Sequence, residues 1–99
     1  MQYRHGDVML ERIDALPEQV RRLPHCVLAH GEVTGHSHRI QDHGTAVLYQ
    51  TPDTLMLEVE AESADLVHEE HATIRLPRGL YRVWRQREYS PESIRIIRD

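Results

Sequence analysis

Eight of the 99 residues are histidines, and this surplus is the most unusual feature of the composition. Four of them fall into two short motifs, Gly35-His36-Ser37-His38 and His68-Glu69-Glu70-His71. Histidine is the commonest protein ligand of transition metals. The two motifs together predict a site for one metal ion, with His36, His38, His68 and His71 as candidate ligands.

The first motif, His36-Ser37-His38, has the spacing that a strand needs to present two ligands together. Side chains two residues apart point to the same face of a strand, so both imidazoles can share one metal ion. Ile40 continues the same alternation and indicates that this face points inward. The alternative is a solvated turn that carries two incidental histidines.

The second motif, His68-Glu69-Glu70-His71, leaves the choice of ligand open. On a regular strand His68 shares a face with Leu66 and Ile74, which favours His68 as the inward ligand. A bulge at the glutamates would present His71 instead. A single helical turn would place both histidines on one face.

Glu69 and Glu70 are the candidate catalytic residues. A carboxylate beside a metal ligand can orient that ligand or accept a proton. The alternative is an ordinary solvated pair of glutamates on a loop. Zinc is the preferred metal, because it accepts histidine nitrogen readily. Iron(II) or manganese(II) would be favoured if Asp42 supplied an oxygen ligand.

Three histidines with an open coordination position predict a zinc-dependent hydratase or hydrolase of a small molecule, since such a site lowers the pKa of a bound water. Carbon dioxide hydration, as in carbonic anhydrases, is the leading case, because a small protein offers little room for a large substrate. Two alternatives remain. A metal with four protein ligands would favour a non-catalytic binding or regulatory module, and a chain without metal would use its histidines in a pH-sensitive hydrogen-bond network.

The remaining histidines show no spacing that links them to one another. We expect each to be a surface residue or a hydrogen-bonded core residue rather than a ligand. They are His5, His25, His30 and His43.

An arginine-rich segment follows the second histidine motif. It contains Arg75, Arg78, Arg82, Arg85 and Arg87, with Tyr81, Trp84 and Tyr89 nearby. Charge and stacking there could hold an anionic partner, which is the partner expected for the non-catalytic module. The alternative is an ordinary strand face whose arginines pair with nearby glutamates such as Glu88, Glu92 and those of residues 58–62. The net charge of −4 favours this alternative and makes nucleic acid an improbable partner.

The elements that must position these residues are predicted to be strands, because short apolar stretches alternate with turn residues. We expect one all-β domain over residues 1–99, a small barrel or sandwich. An unpaired edge strand would allow a homodimer. Residues 16–23 are expected to form a connecting loop, and Pro77-Arg78-Gly79 a turn. The predicted strands are residues 7–13, 26–33, 36–40, 45–51, 55–60, 66–76 with a break, 80–88 and 94–97.

The rest of the sequence indicates a cytoplasmic location. Cys26 is the only cysteine, so no internal disulfide can form. We find neither an apolar run of about 18 residues for a membrane span nor the apolar core of a signal peptide. No contact with a membrane is expected.

Five segments stand out along the chain: His5-Gly6-Asp7-Val8, Gly31-Glu32-Val33-Thr34-Gly35-His36-Ser37-His38-Arg39, His68-Glu69-Glu70-His71, Leu76-Pro77-Arg78-Gly79-Leu80-Tyr81-Arg82-Val83 and Gln86-Arg87-Glu88-Tyr89-Ser90-Pro91. Together they resemble a family of small uncharacterised bacterial and phage proteins. The likeness spans nearly the whole chain but implies no particular activity.

The segments His36-Ser37-His38 and Pro77-Arg78-Gly79 also carry a looser resemblance to cupins, which are small metal-binding β-barrels. The chain departs from cupins at Arg82, where the later cupin histidine would fall, and at Asp42, where cupins usually have glutamate.

Overall fold

A computed structural model of the chain describes residues 1–31 and 35–86. These residues form one antiparallel sheet of eight strands, curled into a half-barrel, which confirms the predicted all-β class. A short 3-10 helix, His43–Thr45, separates the fifth and sixth strands. The strands are β1 (Gln2–His5), β2 (Val8–Ile13), β3 (Arg21–Arg22), β4 (Val27–His30), β5 (Ser37–Ile40), β6 (Ala46–Gln50), β7 (Leu55–His68) and β8 (His71–Arg85).

The long strand β7 organises the sheet. The strand order is β1-β2-β8-β7-β5-β4, and β7 also pairs with β6, which in turn pairs with β3. The first part of β7, residues 55–59, pairs with β6, and residues 66–67 near its end pair with β5. The sheet therefore branches along β7, and the end of β7 lies beside β5.

One face of the curled sheet carries the core. Leu10 on β2, Leu57 and Leu66 on β7, and Leu76 on β8 are each fully buried. The ring of Tyr81 is also fully buried, and its hydroxyl donates to the carbonyl of Pro77 at 2.6 Å. Burial of these apolar surfaces is the main favourable term in folding such a small sheet.

The last two strands are longer than the sequence predicts. The expected turn at Pro77-Arg78-Gly79 is wrong, because β8 continues through it opposite a bulge in β7. Val59 pairs with Gly79, and Ser63 pairs with Pro77. Between these two pairs β7 advances by four residues, whereas β8 advances by only two. Pro77 is tolerated because it lies at the bulge, where the regular ladder is interrupted. It also lies outside the pairing of β8 with β2, which ends at Leu80.

The ends of the chain also differ from expectation. Strand β1 was not predicted, since Tyr3 is its only apolar residue. The predicted loop at residues 16–23 is interrupted by the two-residue strand β3. The strand predicted at residues 94–97 lies outside the described residues. Within the described part of the chain, no helix is long and apolar enough to cross a membrane.

Candidate metal centre

Four strands bring histidines to one end of the core. His5 ends β1, His38 lies on β5, His68 ends β7 and His71 begins β8. The ring centroids of His38 and His68 are 4.3 Å apart, those of His68 and His71 are 4.7 Å apart, and those of His5 and His38 are 4.9 Å apart. His36 joins this cluster from the segment before β5, with its ring 5.8 Å from that of His68.

The pairing of β5 with β7 explains why two of these rings meet. His38 alternates with buried Ile40 and is itself 2% exposed, so it faces inward as the sequence predicts. Ile40 pairs with Leu66. If this register continues two residues earlier on β5 and two residues later on β7, His38 lies opposite His68.

The second motif is a β-hairpin, which was not among the three alternatives considered for it. Glu69 and Glu70 form the two-residue turn between β7 and β8, and His68 pairs directly with His71. Directly paired residues on neighbouring strands project to the same side of a sheet. Both histidines therefore reach the cluster, and either or both are available as ligands.

The histidines offer two groups of potential ligand atoms. One nitrogen each from His38, His68 and His71 lies within 4.8 Å of the others, and a second group is formed by His36, His68 and Glu69. Two nitrogens bound to one tetrahedral zinc ion lie about 3.4 Å apart. Nitrogens of the first group that lie near the 4.8 Å limit would therefore have to approach one another to bind one zinc ion.

His5 is a member of the cluster that the sequence did not identify as a functional residue. It is 2% exposed, its Nδ1 lies 2.9 Å from Nδ1 of His38, and its Nε2 lies 3.0 Å from the carbonyl oxygen of Ala72. Burial, opposed in part by the bond to Ala72, lowers the pKa of His5. Burial and the neighbouring histidines, His68 first, lower the pKa of His38 to about 4, so both rings are neutral near pH 7.

A local sequence signal for His5 exists in Gly6. The backbone of Gly6 has φ +63°, and a Cβ there would lie 2.8 Å from Nε2 of His71. The turn between β1 and β2 can therefore pack directly against the cluster. Without the fold, however, the sequence does not show that β1 lies near β8.

The two glutamates have different surroundings. Glu69 accepts from the backbone N–H of Ser37 at 3.1 Å and contacts Arg39 at 3.0 Å. Hydrogen bonds from its own backbone N–H and that of Ser37, together with Arg39, lower the pKa of Glu69 to about 2. Glu70 is more exposed, and its Oε2 lies 3.3 Å from Nδ1 of His36. Glu69 is therefore held by the fold, whereas Glu70 faces the cluster.

The histidines line a cleft of about 530 Å³. Its floor is formed by buried His38, and its rim includes the exposed residues His71 and Glu70. Asp7 also lines the cleft, with Oδ1 3.5 Å from Nε2 of His38, while its Oδ2 contacts Nη2 of Arg85 at 2.9 Å. The other lining residues are Arg4, Gly6, Gly31, His36, His68 and Arg85 itself.

Asp42, the candidate oxygen ligand, is not brought to the histidines. It caps the short 3-10 helix, where it accepts from the backbone N–H of Gly44 at 3.0 Å, and it lines a different cavity with Ser63 and Asp65. The described carboxylates that line the cleft are those of Glu70 and Asp7. From the sequence, Asp7 is named only within the segment His5-Gly6-Asp7-Val8 and not as a candidate ligand.

The described arginines of the arginine-rich segment have partners on the sheet. Arg75 contacts Asp65 at 3.2 Å, and Arg82 contacts Glu11 at 2.8 Å while lying over the ring of Trp84. Arg78 donates to the carbonyl of Ala61, and Arg85 pairs with Asp7. These contacts favour the strand-face interpretation, although the carboxylate partners differ from those expected. Arg87, Glu88 and Glu92 lie outside the described residues.

Comparison with known proteins places the chain in a family without assigning it a reaction. Residues 4–86 match a family described as a domain of unknown function, DUF8820. The match includes the whole cluster from His5 to His71. Neither the curated proteins nor the solved structures include a match to this chain. The chain therefore belongs to the uncharacterised family DUF8820.

Proposed function

We propose that this chain binds one transition-metal ion, zinc by preference, through His38, His68 and His71, and that it is a metal-dependent hydratase or hydrolase of a small molecule. The observation that carries the proposal is the grouping of three histidine nitrogens within 4.8 Å of one another at an open cleft. Three histidine nitrogens suit a catalytic zinc site, which uses three protein ligands and keeps one position open.

An unsatisfied polar atom supports a bound cation at this cluster. Nδ1 of His36 is buried and has no hydrogen-bond partner among the described residues. Oε2 of Glu70 lies 3.3 Å from this nitrogen, but outside hydrogen-bond geometry. A buried nitrogen without a partner is costly. A cation near His36 would satisfy this nitrogen, which keeps His36 as a further candidate ligand beside His38, His68 and His71.

Metal binding would require a rearrangement at His68. Nδ1 of His68 accepts a hydrogen bond from the backbone N–H of Glu70 at 2.9 Å, so neutral His68 carries its proton on Nε2. Binding through Nε2 would move this proton to Nδ1 and break the contact with Glu70. We therefore expect metal to alter the hairpin turn, while His38 stays fixed.

Glu70 is the candidate proton acceptor of the proposed reaction. Zinc held by three neutral histidines lowers the pKa of a coordinated water towards about 7. Glu70 lines the cleft and could accept the proton of that water, whereas the carboxylate of Glu69 is committed to Ser37 and Arg39. The cleft volume lies within the range of ordinary small-molecule sites. A cleft of this size admits small esters as well as carbon dioxide, and carbon dioxide is the first substrate that we propose to assay.

Replacing Glu70 by glutamine should separate catalysis from metal binding. We expect the turnover of the zinc-loaded protein to fall by about 10²–10⁴-fold, the usual contribution of a proton acceptor. The matched control is Glu69→Gln, which changes the neighbouring turn residue and should leave turnover within about threefold, because the carboxylate of Glu69 is held by Ser37 and Arg39 and does not line the cleft. Stopped-flow carbon dioxide hydration and hydrolysis of a chromogenic ester are the assays. Equal effects of the two substitutions would contradict this role of Glu70.

Replacing Gly6 by alanine should weaken metal binding. The added Cβ would lie 2.8 Å from Nε2 of His71 and 3.0 Å from Cε1 of His38, so the ligand rings must move. The left-handed backbone at this position should also cost about 1–2 kcal/mol of unfolding free energy. Zinc titration and urea unfolding measure the two effects. Gly44→Ala is the control, since the nearest atom to its Cβ is 3.4 Å away. Unchanged zinc affinity in Gly6→Ala would argue against ligation by His71.

A further inference from the structure

The two ring nitrogens of His5 have different partners, and this difference fixes where the protons lie. Nε2 of His5 is 3.0 Å from the carbonyl oxygen of Ala72. A carbonyl oxygen can only accept a hydrogen bond, so Nε2 must carry the proton. A neutral imidazole has a single N–H, and Nδ1 of His5 is therefore an acceptor.

The consequence passes to His38 through the 2.9 Å contact between the two Nδ1 atoms. Because Nδ1 of His5 accepts, Nδ1 of His38 must donate. The remaining nitrogen of neutral His38, Nε2, then has a free lone pair. A neutral histidine needs a free lone pair of this kind to bind a metal ion.

The surroundings of this lone pair favour a cation. Nε2 of His38 lies 3.5 Å from Oδ1 of Asp7, which is also an acceptor. Nε and Nη2 of Arg85 both contact Oδ2 of Asp7, at 3.0 and 2.9 Å, and this holds the carboxylate in place. Two acceptors that face each other across a cleft repel, and a positive ion near them would relieve the repulsion.

The fold supplies the carbonyl at the start of this chain of hydrogen bonds. Between the pairs Leu66 with Ile74 and His68 with His71, β8 contains one residue more than β7. Such a bulge interrupts the regular ladder of backbone hydrogen bonds. Ala72 lies in this interval, and its carbonyl accepts from His5 on β1.

We propose that His5 is a positioning residue, which holds His38 in the tautomer that binds metal without touching the metal itself. The effect of His5 on metal affinity rests on the proposed function, whereas the position of the proton on His38 does not depend on it. Groups that hydrogen-bond to ligand histidines in this way fix the tautomer and the ring orientation, and their loss usually lowers metal affinity about 10–100-fold.

The tautomer can be measured without metal. Long-range proton–nitrogen NMR correlations distinguish Nδ1–H from Nε2–H in each histidine of the chelator-treated protein. We expect the Nε2–H form for His5 and the Nδ1–H form for His38. An Nε2–H form for His38 would overturn the proposal, whatever the protein binds.

Two substitutions of His5 test its role in binding. His5→Phe keeps an aromatic ring but removes the acceptor, so zinc affinity should fall about 10–100-fold. His5→Asn places an amide oxygen near the position of Nδ1 and should retain affinity to within about fivefold. Competition titration with a zinc chelator gives both values, and NMR should show that His38 keeps its tautomer only in the Asn variant.

The outcomes separate this inference from the proposed function. A wild-type chain that binds no zinc would overturn the proposed function, while the tautomer measurement would still decide the arrangement of His5 and His38. Wild-type binding together with unchanged affinity in His5→Phe would overturn only the role of His5.

Discussion

Replacing His38 by alanine should lower the zinc affinity of this chain by more than about 100-fold. Loss of a group that merely supports a ligand costs about 10–100-fold, so loss of a ligand should cost more. His38 is the buried member of the group His38, His68 and His71, and its Nδ1 lies 2.9 Å from Nδ1 of His5. Competition titration against a chelator of known affinity measures the change.

A control and a second variant make this result interpretable. His43→Ala also removes one histidine, but His43 is exposed in the 3-10 helix and outside the cleft, so affinity should not change. His71→Ala removes an exposed ligand, so its effect on folding should be small. If His71→Ala folds normally and binds zinc as tightly as wild type does, the proposed ligand set is wrong.

Zinc should raise the thermal stability of the protein considerably. A ligand that binds only the folded state at 100 times its dissociation constant stabilises that state by about 2.7 kcal/mol. For a domain of this size each kcal/mol corresponds to roughly 4–8 °C in Tm, so an increase of roughly 10–20 °C is expected. Two of the ligands lie at the β7–β8 hairpin and the third on β5, so the ion would join β5 to this hairpin.

Calorimetric scans with zinc, with chelator, and with chelator followed by zinc measure this effect. The increase in Tm should disappear with chelator and return when zinc is restored. His38→Ala should show little increase at the same zinc concentration. An equal increase in wild type and His38→Ala would mean that zinc acts elsewhere on the chain.

Much of the centre could be predicted because strand alternation is a local property. His36-Ser37-His38 followed by Ile40 indicates one inward-facing side, and His38 lies there. Leu66 and His68 share a face in the same way. The hairpin at Glu69-Glu70 was missed because those residues are not the usual turn formers, which are glycine, asparagine and aspartate.

The contributions of His5 and Asp7 could not be predicted, since they depend on long-range pairing. β1 reaches the cluster only because β2 pairs with β8 and the sheet curls. His5 is 33 residues from His38 and 67 from Ala72 in the sequence. Spacing rules apply within one strand or turn and do not extend over such separations.

If one chain holds one zinc ion at the histidine cluster, the metal content of the purified protein must depend on these histidines. The most direct test is elemental mass spectrometry of untagged protein, purified without added metal, on wild type and on His36→Ala/His38→Ala. We expect close to one zinc per wild-type chain and almost none in the double variant. Equal metal in both proteins, or none in wild type even after exposure to zinc, would contradict the account.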